Sequence, residues 1–148
     1  MAGEITIRAL GPGDAAAWRA LWTGYLAFYE TDVPDAVKAE TFRRLRDPAR
    51  PEQEGRVAVA GGRLVGLVHY IFHPHNWRIE PVCYLQDLFT LPDARGQGVG
   101  RALIEAVYAE ADARGAPTVY WLTQDFNATA RRLYDRIGTR TPFIKYRR

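Results

Sequence analysis

One cysteine and three histidines are all the thiol and imidazole the chain carries. Cys83 therefore has no partner for an internal disulfide and no companions for a multi-cysteine zinc site. Long apolar runs are missing as well. The longest stretch without a formal charge, residues 64–77, is too short and too rich in histidine and asparagine to span a bilayer. No basic segment leads into an apolar core at the start, so no secretory leader is expected, and a cytoplasmic protein is. The net charge of +3 is slight. No interleaving of basic and aromatic residues marks a nucleic-acid surface. What remains is a chain of 148 residues, 47% apolar, which one packed domain (1–148) would fill.

The charge is slight but uneven. Residues 30–40 hold Glu30, Asp32, Asp35 and Glu40 against Lys38 alone, while 131–148 hold seven basic residues against Asp135. The acidic stretch is either a solvated turn or a site for a cation. The basic tail either serves solubility or meets phosphate groups.

Periodicity predicts the elements. Residues 4–10 alternate like a strand, and Gly11-Pro12-Gly13 breaks it with Asp14 as the next helix cap. Trp18, Leu21, Trp22, Tyr25, Leu26 and Tyr29 recur at helical spacing, and Pro34 opens a second helix over 35–46. Residues 50–55 read as a loop. Two β-rich runs around Gly61-Gly62 predict a hairpin, and 82–91 a further strand. A helix over 102–113 closes at Arg114-Gly115, and 118–123 reads as a strand. Asn127 caps a helix that sets Ala130, Leu133, Tyr134 and Ile137 on one face, and 142–146 form a last short strand. The order predicts an α+β fold: a twisted, mostly antiparallel mixed sheet flanked by about four helices.

Residues 95–101 read Arg-Gly-Gln-Gly-Val-Gly-Arg and run straight into the 102–113 helix. Glycine costs about 1 kcal/mol relative to alanine inside a helix. A cluster of them at a helix start makes sense where bare N–H groups must approach a ligand. The unpaired donors and the dipole there select an anion. A P-loop needs Gly-Lys-Ser/Thr, and Gly100 is followed by Arg101-Ala102. A dinucleotide loop needs its third glycine one residue later, after the opening strand of a parallel sheet.

The hexad Arg95-Gly96-Gln97-Gly98-Val99-Gly100, the preceding YLQDLFTL and the later NATARRLYD together resemble the GNAT superfamily of acetyl-CoA-dependent N-acetyltransferases. Within it they look most like the branch acting on polyamines, free amino acids and histone tails. The resemblance runs through most of the chain, helices and strands falling in GNAT order. That branch typically has Tyr-Leu-Glu-Asp before the loop, and here Gln86 replaces the glutamate.

The resemblance implies that the main-chain amides of Gln97, Gly98, Val99, Gly100 and Arg101 hold the CoA pyrophosphate, with Arg95 and Gly96 shaping the loop. It implies that Leu88, Phe89 and Thr90 pair with the pantetheine arm, and that Asn127 touches CoA, although an N-cap role explains Asn127 equally well. Tyr134 becomes the proton donor to the leaving thiolate; its alternative is packing with Ala130 and Ile137. Gln86 cannot take a proton and at most orients a water or the substrate. His69 is then the candidate base or substrate contact, or else a core histidine. Asp87 is a substrate contact or a structural ion pair. Tyr25, Tyr29 and Glu30 end the first helix, where relatives build the acceptor pocket. The implied reaction moves acetyl from acetyl-CoA to a primary amine by direct attack, without a metal. Rivals are a non-catalytic acetyl-CoA-binding module and a covalent route through Cys83, which an apolar strand should leave inert. A homodimer through the last strand is a family-level expectation.

Overall fold

Two apolar faces on one sheet organise the chain. The computed structural model describes residues 4–148. Its elements are β1 (Thr6–Ala9), α1 (Ala15–Phe28), α2 (Asp35–Leu45), β2 (Gln53–Ala60), β3 (Arg63–His73), β4 (Val82–Thr90), α3 (Val99–Ala113), β5 (Val119–Tyr120) and α4 (Ala128–Ile137). The sheet order is β1-β2-β3-β4-β5. Neighbours are antiparallel except β4 and β5, which run parallel across the α3 crossover. This is the α+β, mixed and mostly antiparallel sheet with four helices that the sequence predicts.

Strand alternation sorts the core. Val57, Leu67 and Phe89 face Trp18, Leu21, Trp22 and Leu26 of α1. Ala58, Val68, Tyr70 and Leu85 face Leu103, Ile104 and Val107 of α3. Gly61 and Gly62 turn the β2–β3 hairpin with φ of +58° and +76°, the left-handed pair that a two-residue turn requires. Gly66 lets α3 settle on β3, since a Cβ there would sit 2.8 Å from Val99 Cγ1.

Four local expectations need correction. Strand β2 starts at Gln53, inside the expected loop, because the long β3 offers it an edge as far as Ile71. Asp14 stands at the N-cap of α1 without capping it; its carboxylate takes the Gly11 N–H (2.7 Å) and Arg8 (2.6 Å) instead. Strand β5 is two residues long, not six. Residues 142–146 form no strand, and Phe143, Ile144 and Tyr146 are 83%, 75% and 87% exposed. A strand needs an edge and a buried face, and the single chain supplies this segment with neither. Among the described residues, no helix is long and apolar enough to cross a membrane.

The feature that positions the site is a bulge. His69 pairs with Asp87 and Tyr70 with Leu85, so Gln86 has no partner. The extra residue bends β4 and resets its faces. Leu85 and Leu88 both meet the α3 side, whereas Asp87 and Phe89 meet α1. Strands β4 and β5 stay together only at Cys83–Val119 and Tyr84–Tyr120. Beyond that they part.

Candidate active site

The glycine loop leaves β4 at Thr90, passes a 3-10 turn (Pro92–Ala94) and enters α3 at Val99. Gly96 and Gly98 carry φ of +77° and +83°, and a Cβ on either would meet nothing within 4 Å. Two glycines are thus demanded by backbone conformation, and open space lies above them. Gly100 is different: its φ is not left-handed, and a Cβ would touch Leu133 at an ordinary 3.5 Å. The first intrahelical bond runs from Ala102 N–H to the Gly98 carbonyl (3.0 Å), which leaves the amides of Val99, Gly100 and Arg101 free at the helix start. A diphosphate fits this cradle on charge and on space.

The flanking side chains hold the loop in place. Arg95 Nε donates to the Thr90 carbonyl (3.2 Å), and its guanidinium lies over the rings of Phe28 (6.0 Å) and Phe89 (5.8 Å). Arg101 Nε pairs with Glu105 one turn along α3 (2.8 Å). Gln97 Nε2 reaches back to the Asp93 carbonyl (3.5 Å).

Where β4 and β5 part, a narrow cleft opens between Tyr25, Tyr29, Leu85, Gln86, Leu88, Trp121, Leu122 and Tyr134. It draws on both sides of the sheet: Tyr25 and Tyr29 come from the α1 side, Leu88 and Tyr134 from the α3–α4 side. Gln86, exposed by the bulge, faces it. Tyr134 packs its ring on Trp121 (5.5 Å between centroids). Burial pushes its phenol up to about 12, so the O–H stays protonated and can donate at any physiological pH. Trp121 and Leu122 line the cleft as well, and no motif in the sequence marks either of them. Asn127 caps α4, its Oδ1 accepting the Ala130 N–H at 3.5 Å.

His69 and Asp87 lie under the α1 side of the cleft rather than in it. Trp18 Nε1 donates to His69 Nε2 (2.9 Å), and His69 Nδ1 meets Asp87 Oδ2 (2.8 Å). An indole N–H can only donate, so His69 is neutral, carries its proton on Nδ1 and donates it to Asp87. Trp22 Nε1 adds a second bond to the same oxygen (3.3 Å). Both nitrogens of His69 are occupied and the residue is 4% exposed. The histidine that the sequence offers as a base is thereby a core residue orienting a carboxylate. Burial, with the Asp87 charge second, holds the Tyr25 phenol far above its ordinary value and raises Tyr29 as well.

Glu30 ends α1 in the left-handed region (φ +57°), the only such non-glycine among the described residues. The bonds Glu30 N–H to Ala27 O (2.9 Å) and Thr31 N–H to Leu26 O (3.0 Å) complete a Schellman cap, a place that normally takes glycine. The rest of the acidic stretch is neutralised within the chain, Asp32 by Lys38, Asp35 by Arg19 and Glu40 by Arg43 and Arg44. Cys83 is fully buried and its thiol is pushed up to about 12 by that burial, which removes it as a nucleophile. Among the described residues, no three His, Cys, Asp or Glu side chains gather closely enough to hold a metal ion.

Residues 17–139 match the model of the acetyltransferase (GNAT) family. The chain belongs to the GNAT family. It is 39% identical over 147 residues to D-amino-acid N-acetyltransferase HPA3 of Saccharomyces cerevisiae, covering 98% of this chain and 91% of the yeast protein. It is 30% identical to the N-acetyltransferase YhfO of Bacillus subtilis, over 96% and 95% of the two chains. Among solved structures, the aminoglycoside acetyltransferase AAC(6')-Iy bound to a bisubstrate analog superimposes with a TM-score of 0.82 at 21% identity, over 98% of each chain. This GNAT protein is an N-acetyltransferase of the acetyl-CoA-dependent kind.

Proposed function

We propose that this GNAT enzyme acetylates the amine of an amino acid or a similarly small primary amine, by direct attack while acetyl-CoA and amine are bound together. The observation that carries the reading is the cleft through the sheet. Its lining joins Leu88, Trp121 and Tyr134 of the α3–α4 side to Tyr25 and Tyr29 of the α1 side, and at the start of α3 the amides of Val99 to Arg101 stand free. Amine and thioester thus approach from opposite faces and meet at the bulge. An amino-acid acceptor is the class named for the yeast relative, and Glu30 is the acid of the 30–40 stretch left free to meet an ammonium group.

The residues divide the work as follows. The loop amides neutralise the diphosphate, Arg95 and Gly96 keep the loop shaped, and Leu88 to Thr90 align the pantetheine along the parted edge of β4. Asn127 braces the start of α4, which carries Tyr134. Tyr134 donates its hydroxyl hydrogen to the departing sulfur. A phenol near 12 is a weaker acid than a free thiol near 8.5, so it acts first as a hydrogen-bond donor, and the proton moves as the bond breaks. A main-chain N–H of β4 near Leu88, beyond the last pairing with β5 at Tyr84, serves the developing oxyanion.

The basic, apolar tail completes the picture. We propose that residues 142–146 find in a second copy the edge that one chain withholds, which makes the enzyme a homodimer. Sedimentation of the full chain against a chain ending at residue 139 tests this; a monomer in both cases overturns it.

The reading as a whole is tested by a screen of amino acids, polyamines and aralkyl amines with acetyl-CoA, following free CoA. Release of CoA that requires an amine, with an acetylated product by mass spectrometry, supports it. Tight CoA binding with no release on any amine means a non-catalytic binding module instead.

A further inference from the structure

The motif lacks its acid at position 86, yet the structure holds a carboxylate one residue on. Asp87 is 9% exposed and sits under the cleft on the α1 face. Its Oδ2 accepts from His69 Nδ1 and Trp22 Nε1, while Trp18 locks the far side of the imidazole. Among the described residues its other oxygen accepts no hydrogen bond. Two donors hold the carboxylate in place, so Trp18, Trp22 and His69 are positioning residues. The titratable groups facing it are His69 from β3, Tyr25 and Tyr29 from α1 and Tyr84 from β4. No cation faces it. Of the three phenols, Tyr25 alone both lines the cleft and stands in side-chain reach of the carboxylate, with its hydroxyl 3.5 Å from the Gln86 carbonyl.

We propose that Tyr25 and Asp87 form the proton exit of the acetyl transfer, a relay in place of the carboxylate missing at Gln86. The proposal rests on the amine acetylation argued above. The amine nitrogen bonds to the acetyl carbon and the carbon–sulfur bond breaks. The nitrogen gives one proton to the Tyr25 oxygen, Tyr25 passes its own proton to the free oxygen of Asp87, and Tyr134 gives one to the sulfur. Asp87 ends neutral and Tyr134 ionised, and exchange with water resets both. The high pKa of Tyr25 suits a group that hands a proton on without resting as phenolate. Because the relay acts on the adduct, the amine must still arrive as the free base.

The test is single-turnover acetyl transfer at saturating acetyl-CoA. Tyr25→Phe should slow it roughly a hundredfold, the scale for losing a proton-transfer group. Its CoA affinity, melting temperature and amine KM should stay within about threefold or its equivalent. Asp87→Asn should be slow to a similar degree, and the double variant no slower than the slower single, because one relay breaks once. A Tyr25→Phe enzyme within about threefold of wild type overturns the relay, as does a double variant whose loss is the product of the two singles. So does a loss that lies in amine KM alone, which marks Tyr25 as a binding residue. If Asp87→Asn does not fold, the isosteric Tyr25→Phe decides alone. A wild type that turns over no amine fails the underlying acetylation; turnover untouched by Tyr25→Phe fails only the relay.

Discussion

The loop at 95–101 and the α1 side of the cleft share one reaction in the proposed function, but they are made in opposite ways. The loop is local and works through backbone: two left-handed glycines and three free amides within six residues. The α1 side is assembled from residues far apart, with Trp22 and Asp87 65 positions from each other and Trp18 and His69 51, and it works through side chains. A backbone site tolerates changes of side chain as long as its dihedrals survive. A side-chain site tolerates backbone variation as long as its packing holds the groups in place. Substitutions should therefore separate the two cleanly.

The largest effect should fall on the loop. Gly98→Val places a β-branched residue at a φ of +83° and a side chain in the space left for the diphosphate. CoA affinity by calorimetry should drop at least about a hundredfold, while circular dichroism shows the fold intact. Gly100→Ala sharpens the point from the other end, because its Cβ has ordinary room against Leu133. That variant should bind CoA within about threefold of wild type, and slightly better helix propensity should accompany it.

Next in size, Tyr134→Phe should cut kcat by roughly a hundredfold with CoA affinity unchanged. A kcat within about threefold of wild type would reduce Tyr134 to packing against Trp121. Since burial holds the phenol near 12, its protonation contributes no falling alkaline limb to the rate below about pH 11. The same shift has a stability consequence of definite sign. The buried neutral phenol is favoured in the folded state, so its contribution is complete below the unfolded value near 10 and is lost as pH rises towards 12. Thermal melts should be flat up to about pH 9 and fall above it.

A smaller and more selective effect concerns the amine. With Gln86 in place of an acid, the proposed site offers no group to deprotonate the free ammonium. An alkyl amine of pKa about 10.4 is then about 4 kcal/mol from its reactive form at pH 7.4, and an α-amine near 8 less than about 1. Polyamine rates should climb with pH through 9, whereas α-amine rates level off earlier. Gln86→Glu should help the polyamine more than the α-amine. A wild type preferring spermidine, with a flat profile from pH 7 to 9, would contradict this.

Smallest is Glu30→Gly. Glycine relieves a left-handed conformation that costs other residues about 1 kcal/mol, so the melting temperature should rise by a few degrees. If Glu30 meets the ammonium group, amine KM should rise at the same time; a gain in stability with no change in KM would make Glu30 only a cap.

The same contrast explains what the sequence disclosed. Gly61-Gly62 and Arg95 to Gly100 were readable because a turn or a helix start is decided by its own few residues. The helices were readable because Trp18, Leu103 and their neighbours repeat at helical period. The bulge at Gln86 was not, since it exists only in the pairing of β4 with β3, and with it went the length of β5 and the faces of Asp87 and Leu88. His69 looked like a catalytic candidate because nothing in its strand shows that Trp18 would occupy its Nε2. Gly66 gave no sign of being the seat of α3. The tail at 142–146 alternates like a strand, but alternation cannot show whether a partner edge exists.

The central claim is that acetyl-CoA and amine occupy the two sides of the β4–β5 gap at once. Initial rates with both substrates varied test it most directly. The account predicts intersecting double-reciprocal lines, and no acetyl group on the protein when it is incubated with acetyl-CoA alone and examined by mass spectrometry. Parallel lines together with an acetylated Cys83 would contradict it.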